Sequence, residues 1–216
     1  MTAPELAPPL AFRLRDLTDR APQSYVMRPR RIAEIRAVVL HQTGFDTWRE
    51  SNPMWAKVRA HFVVHRSGLV SQLHPITARM RFGCGRGNAW AINIEHEGNY
   101  PLGWDEDGED IYFRPEKFGR SRIEDAPEQI TAGRALLAYL HEQIPSLMVG
   151  AHRQVDDLKG GCCGPDIWRE IGQFAVDSLG MVEMPVAGGL PIPDRWRTSS
   201  AAVLPTNREY EGPLVA

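Results

Sequence analysis

Apolar and polar positions along the chain follow two periods. From Ile35 to Leu40 the run is apolar and rich in β-branched side chains, and it ends at His41-Gln42-Thr43-Gly44. This reads as a buried strand running into a loop. His61 to Arg66 and Leu69 to Leu73 flank Ser67-Gly68 and predict a hairpin. Ala91 to Glu97 alternates: Ile92 and Ile94 face one way, Asn93, Glu95 and Glu97 the other. A strand that turns carboxylates to one side is expected to border a cleft. The period then lengthens. Asp125 can cap a helix with Pro127 in its first turn and Glu128 three residues past the cap. Ile130, Leu137, Leu140 and Ile144 recur at helical spacing, and Pro145 stops it. Leu147 to Ala151 predicts a strand delivering His152, and a second helix starts near Pro165 with Ile167, Trp168, Ile171 and Phe174 on one side. Thr47 to Arg59, with Trp48, Trp55 and Val58, predicts a short helix. The stretch 103–124 is polar and carries an acidic cluster. It fails as a calcium loop, because with Gly108 as the invariant glycine the first and last positions fall on Gly103 and Arg114. A solvated loop is expected there.

Strands alternate with helices, and a hairpin interrupts them. The fold class is therefore α/β, a mixed central β-sheet flanked by helices, with irregular N- and C-terminal extensions. The expected division is an N-terminal extension over 1–30, a catalytic domain over 31–180 and a Pro/Gly-rich tail over 181–216. A formal charge of −2 over 216 residues gives no reason to expect nucleic acid as a partner. No apolar run has the length to span a bilayer, so no membrane insertion is expected. The first residues lack the basic and apolar regions of a secretory signal, which points to synthesis in the cytoplasm. Three cysteines, Cys84 and the adjacent Cys162 and Cys163, make no disulfide framework and read as reduced thiols.

Chemistry enters at the strand ends. His41 and His152 each follow a short apolar strand, where a rigid scaffold presents functional side chains. Cys162, ten residues past His152, can fold back to join them. Two imidazoles and a thiolate suit Zn2+, one per chain, and three protein ligands leave a position open for water, as in catalytic sites. Zinc held in this way lowers the pKa of a water to roughly 7 and polarises a carbonyl. Glu95, pointing away from the Ile92/Ile94 face, is the expected general base.

Four blocks of residues carry a resemblance. They are Val38-Val39-Leu40-His41-Gln42-Thr43; Ala60-His61-Phe62-Val63-Val64 with Gly68 and Gln72-Leu73-His74-Pro75; Ala91-Ile92-Asn93-Ile94-Glu95-His96-Glu97-Gly98-Asn99; and Gly150-Ala151-His152-Arg153-Gln154 through Cys162-Cys163-Gly164, then Ile167-Trp168. In this order they resemble the zinc-dependent N-acetylmuramoyl-L-alanine amidases, whose fold is shared with peptidoglycan recognition proteins and bacteriophage amidase-type lysozymes. The resemblance implies zinc on His41, His152 and Cys162, with Glu95 as the catalytic carboxylate. It implies hydrolysis of the amide between N-acetylmuramic acid and L-alanine in peptidoglycan or muropeptides.

Three departures stand out. Cys163 occupies the place of the family's usual proline, so either cysteine is open as the ligand. Gly160 lies where many catalytic members carry a Lys or Thr that steadies the oxyanion; either Lys159, one residue earlier, substitutes for it or the stabilisation is weaker. The Trp-His pair usual before the glutamate strand is missing from Arg79 to Gly85. These departures keep a competing reading open, a non-catalytic muropeptide-binding module of the same fold. A cysteine hydrolase with His152 as base is a third. His61, in the hairpin, is the further histidine expected to line the cleft, while His65, His74, His96 and His141 read as structural. A cytosolic recycling enzyme, an endolysin released by a holin and an effector exported by a secretion machine all fit a chain without a signal.

Overall fold

The computed structural model describes residues 12–45 and 48–197. Its strands are β1 (Arg13–Asp16), β2 (Val26–Pro29), β3 (Ala37–Gln42), β4 (Phe62–Val64), β5 (Leu69–Gln72), β6 (Ala78–Met80), β7 (Ala91–His96), β8 (Gly103–Trp104), β9 (Asp110–Ile111) and β10 (Met148–Ala151). Six of them form the central sheet in the order β1-β5-β4-β7-β3-β10. The β4–β5 hairpin is antiparallel and every other pairing is parallel, so the sheet is mixed. Strand β3 lies between β7 and β10 and is buried at all six positions. That burial explains its unbroken apolar run, since a parallel strand covered on both faces has no polar side.

The pleat sends alternate residues to two different cores. Val38, Leu40, Ile92 and Ile94 pack beneath α2 (Pro127–Gln143), which contributes Leu136, Leu137 and Leu140. The second helical segment adds Ile167, Trp168 and Ile171 to the same core. It runs from α3 (Pro165–Ile167) through a π-turn over Trp168–Gly172 into α4 (Gln173–Asp177). On the opposite face Ala37, Val39 and Ala91 pack on Cys84, Val155 and Met184. Farther along that face the apolar side chains give way to polar ones, and the cleft opens there.

Four sequence expectations differ from the structure. Asp125 does not cap α2; it ends a 3-10 turn over Ile123–Asp125, and Ala126 takes the cap position with no side-chain bond. In place of a helix from Thr47 to Arg59 there is a 3-10 turn over Pro53–Lys57, opened by Asn52 Oδ1 accepting from the Met54 N–H; residues 46 and 47 lie outside the described residues. The polar stretch after Gly103 is no plain loop, because it holds the β8–β9 ribbon and the short α1 (Pro115–Phe118). Residues 13–16, expected to belong to an irregular N-terminal extension, form the edge strand β1 beside β5. The described part of the tail, 181–197, packs as well: Met184 N–H donates to Val149 C=O, and α5 (Asp194–Arg197) buries Trp196; residues 198–216 lie outside the described residues.

Candidate functional site

The site lies beyond the carboxyl ends of β3, β7 and β10, where open sheets of parallel strands present their ligands. His41 is the fifth residue of β3 and pairs in register with Glu95 of β7, so both side chains leave the same face. His152 follows directly on β10, which pairs with β3 through Ala151 and Leu40. The two imidazoles approach with Nδ1 atoms 2.9 Å apart and ring centroids 4.3 Å apart. Cys162 returns to them on a loop whose N–H and C=O groups pair with Lys159 C=O and Arg153 N–H. One ligand atom each from His41, His152 and Cys162 lie within 4.8 Å of one another. Glu95 Oε1 stands 4.0 Å from His41 Nδ1, and its Oε2 has no partner. Gly164, at φ +94°, closes the loop; a side chain there would collide with the Pro101 carbonyl.

Burial sets the charge of this group. It pushes the His41 imidazole well below its usual range, with the neighbouring His152 ring adding to the effect. Burial, then the Lys159 charge, lowers His152 to about 4. Cys162 is pushed up to about 12 by burial and the Glu95 carboxylate. Glu95 itself rises to about 7 through burial, with Lys159 opposing. The imidazoles are thus neutral and keep lone pairs for an acceptor.

The donor set fits zinc. Bonds of about 2.0–2.3 Å in a tetrahedron require ligand atoms about 3.3–3.8 Å apart, and the 2.9 and 4.8 Å found among these atoms bracket that range. Cys163, by contrast, is fully buried in the core beneath the sheet, so Cys162 is the cysteine beside the imidazoles.

The cleft over this group has a volume of about 490 Å³ and is lined by Lys159, Gly161, Leu102 and Phe113 among others. Arg59 and Leu158 also line it, and sequence reasoning missed both. Leu158 is 89% exposed, an apolar side chain in a polar stretch, which was the one available signal. His61 does not line the cleft, contrary to expectation. It is fully buried, its Nδ1 accepting from the Asn93 N–H and its Nε2 donating to Ala78 C=O. His96 Nδ1 donates to His41 C=O. Ser71 Oγ, His65 Nε2 and Nδ1 and Glu97 Oε2 form a chain of 2.8 and 2.9 Å contacts with the look of a hydrolytic triad. All three residues are buried and the Arg15 guanidinium donates into the Ser71 oxygen, so this chain ties β1 to the sheet.

The span 31–164 matches the family model for N-acetylmuramoyl-L-alanine amidase (Amidase_2) and includes His41, Glu95, His152 and Cys162. The chain belongs to the N-acetylmuramoyl-L-alanine amidase family. Membership makes this amidase-family chain a protein of peptidoglycan hydrolysis or recognition. Drosophila peptidoglycan recognition protein SD has a similar structure, with a TM-score of 0.55 and 14% identity over 81% of this chain and 99% of that one. Bumblebee PGRP-SA gives a TM-score of 0.50 and 14% identity over 80% and 99%. The endolysin amidase LysCS of Clostridium intestinale URNW is 18% identical over 71% and 88%, with a TM-score of 0.47. The two recognition proteins share the mixed sheet and flanking helices, and at such identity the likeness concerns the fold alone. No curated protein matches the chain. Among the described residues no helix is long and apolar enough to cross a membrane.

Proposed function

We propose that the chain hydrolyses the amide joining N-acetylmuramic acid to L-alanine in peptidoglycan or its fragments, with zinc held by His41 and His152 through Nδ1 and by Cys162 through Sγ. The observation that carries this reading is the convergence of one ligand atom each from His41, His152 and Cys162 within 4.8 Å, in an open cleft that Glu95 also lines. Zinc bound there supplies a Lewis acid for the scissile carbonyl and acidifies a water. Glu95 takes a proton from the attacking water and returns it to the departing amine. Its carboxyl, pushed up to about 7, is matched to proton transfer near neutral pH. Lys159, on the cleft wall, brings a positive charge to the developing oxyanion.

The test is Glu95→Ala. Zinc content should stay at about one per chain while muropeptide cleavage falls about 10²–10⁴-fold, the range for a lost general base. Cleavage at the wild-type rate would remove Glu95 from the mechanism. A second reading, recognition without cleavage, draws support from Gly160, which leaves the usual oxyanion-steadying position without a side chain. Mass spectrometry separates the two: ligand recovered intact from a tight complex favours recognition. Comparing rates on whole sacculi and soluble muropeptides then distinguishes wall lysis, after release by a holin or a secretion machine, from recycling.

A further inference from the structure

The formal charge of −2 conceals a division along the chain. Residues 13–86 hold fourteen Arg and Lys against five Asp and Glu, whereas 87–197 hold ten against nineteen. The cations are densest around the ribbon of β2 and β6, where spans 22–36 and 74–90 carry seven arginines and a single acid, Glu34. Arg28 pairs in register with Arg79 across that ribbon. Like charges directly opposite weaken a pair of strands, so the arrangement calls for a reason. Glu34 is shared between Arg28, at 3.5 Å, and Arg31, at 3.6 Å. Among the described residues no ion pair includes Arg59, Arg79 or Arg81.

The arginines face outward and lead to the cleft. Ala78 and Met80 of β6 are buried, so the alternate residues Arg79 and Arg81 stand on the other side of the ribbon. The Arg81 N–H donates to Tyr25 C=O, which carries the pairing one step past β6. There the Arg59 guanidinium lies 4.6 Å from the centre of the Phe82 ring and 5.5 Å from that of Tyr25. Rings that take the face of a guanidinium leave its N–H edge for an acceptor. Arg59 also lines the cleft together with Gly83 and Glu95, so the cationic face is continuous with the site.

Such a face suits repeated carboxylates, which a guanidinium fork meets with two parallel hydrogen bonds. The carboxyl group of N-acetylmuramic acid is consumed in the scissile amide, so the free carboxylates of peptidoglycan belong to its peptides. Every uncrosslinked peptide ends in one, and a polymer strand repeats them beyond the amide being cut. We propose that the arginine face of the β2–β6 ribbon, entered from the cleft at Arg59, is a docking surface for polymeric peptidoglycan, whose peptide carboxylates engage Arg81, Arg79 and Arg28 while one amide occupies the cleft. The choice of polymer rests on the reading under Proposed function. The acidic remainder of the chain turns this face, rather than another, toward a polyanion.

The experiment measures binding apart from cleavage. Glu95→Ala protein is sedimented with purified sacculi freed of attached phosphate polymers. Ionic strengths of about 0.01 and 0.15 M are compared, between which the Debye length falls from about 30 to 8 Å. The protein should bind, and more weakly at the higher salt. Adding Arg28→Glu and Arg81→Glu together should weaken binding about tenfold at low salt and remove most of the salt dependence. With Glu95 restored, the same pair should lower the ratio of cleavage rates on sacculi and soluble muropeptides about tenfold. Arg28→Gln with Arg81→Gln removes charge without reversing it and should move both readouts the same way if the reversed variant fails to fold. Equal binding with and without the substitutions overturns the inference. So does equal binding to glycan strands stripped of their peptides, or binding that requires the phosphate polymers or is seen only with anionic lipid vesicles. A chain that docks through these arginines but cleaves neither substrate keeps the inference and sinks the hydrolytic reading. Cleavage of muropeptides with binding unaltered by the substitutions does the reverse.

Discussion

Burial keeps the Cys162 thiol protonated up to about 12 and both facing imidazoles neutral. A divalent cation entering this group therefore displaces one thiol proton, and zinc affinity should rise with pH across the neutral range. The two adjacent cysteines should differ sharply. Cys162→Ser is expected to lose the metal, whereas Cys163→Ser should keep the zinc stoichiometry and cost about 1–3 kcal/mol, the price of a hydroxyl in an apolar core. Metal analysis and thermal melts on both variants check this, and equal metal loss would contradict the assignment. His61 sets a second expectation. Burial lowers its pKa to about 3 in the fold against 6.5 unfolded. Its neutral form thus contributes stability that is fully present above about 6.5. As pH falls from there toward about 3 the unfolded chain alone gains the proton, and about 1.4 kcal/mol is lost per pH unit. Urea unfolding at a series of pH values measures the slope, which should flatten in His61→Gln.

At the scale of elements, the site depends on what braces the segment after β10. The strap from Val182 to Arg197 crosses it: Gln154 Nε2 donates to Met184 C=O, Ala187 N–H to Gln154 C=O and Leu190 N–H to Arg153 C=O. The Arg153 guanidinium then lies 4.7 Å from the ring of Trp196, which is buried under it. Trp196→Ala should cost about 3–5 kcal/mol, as truncation of a buried aromatic does. Because the strap borders His152, zinc affinity should fall with it; a melt and a zinc titration test both, and intact affinity would uncouple strap from site. Periodicity had marked 181–216 only as Pro- and Gly-rich; the order of its described part, 181–197, comes from long-range backbone bonds that leave no local repeat. The misplaced cap of α2 has a similar origin. Asp125 looks like a cap, yet its N–H is drawn into a turn by Arg122 C=O, and the helix starts one residue later.

For the molecule as a whole, a bound ion would tie β3 to the segment that follows β10. A chelator should lower the Tm of the zinc-loaded protein and added zinc should restore it. At a thousandfold excess over Kd, ligand binding contributes about 4 kcal/mol. A Tm indifferent to chelation would argue against a resident metal. Much of the architecture was legible beforehand, since β3, the hairpin, β7 and α2 rest on periods that a few neighbouring residues define. So were the donor types, which depend only on side-chain identity. The sequence by itself thus determined that β3, the β4–β5 hairpin, β7, α2 and β10 form, and that two histidines, a cysteine and a glutamate were on offer. Tertiary structure alone decided that Cys162 rather than Cys163 meets the imidazoles, that the two Nδ1 atoms face each other and that His61 is sealed. The reason is physical: these outcomes depend on parallel register and burial between segments as much as 121 residues apart, and local periodicity carries no information at that range.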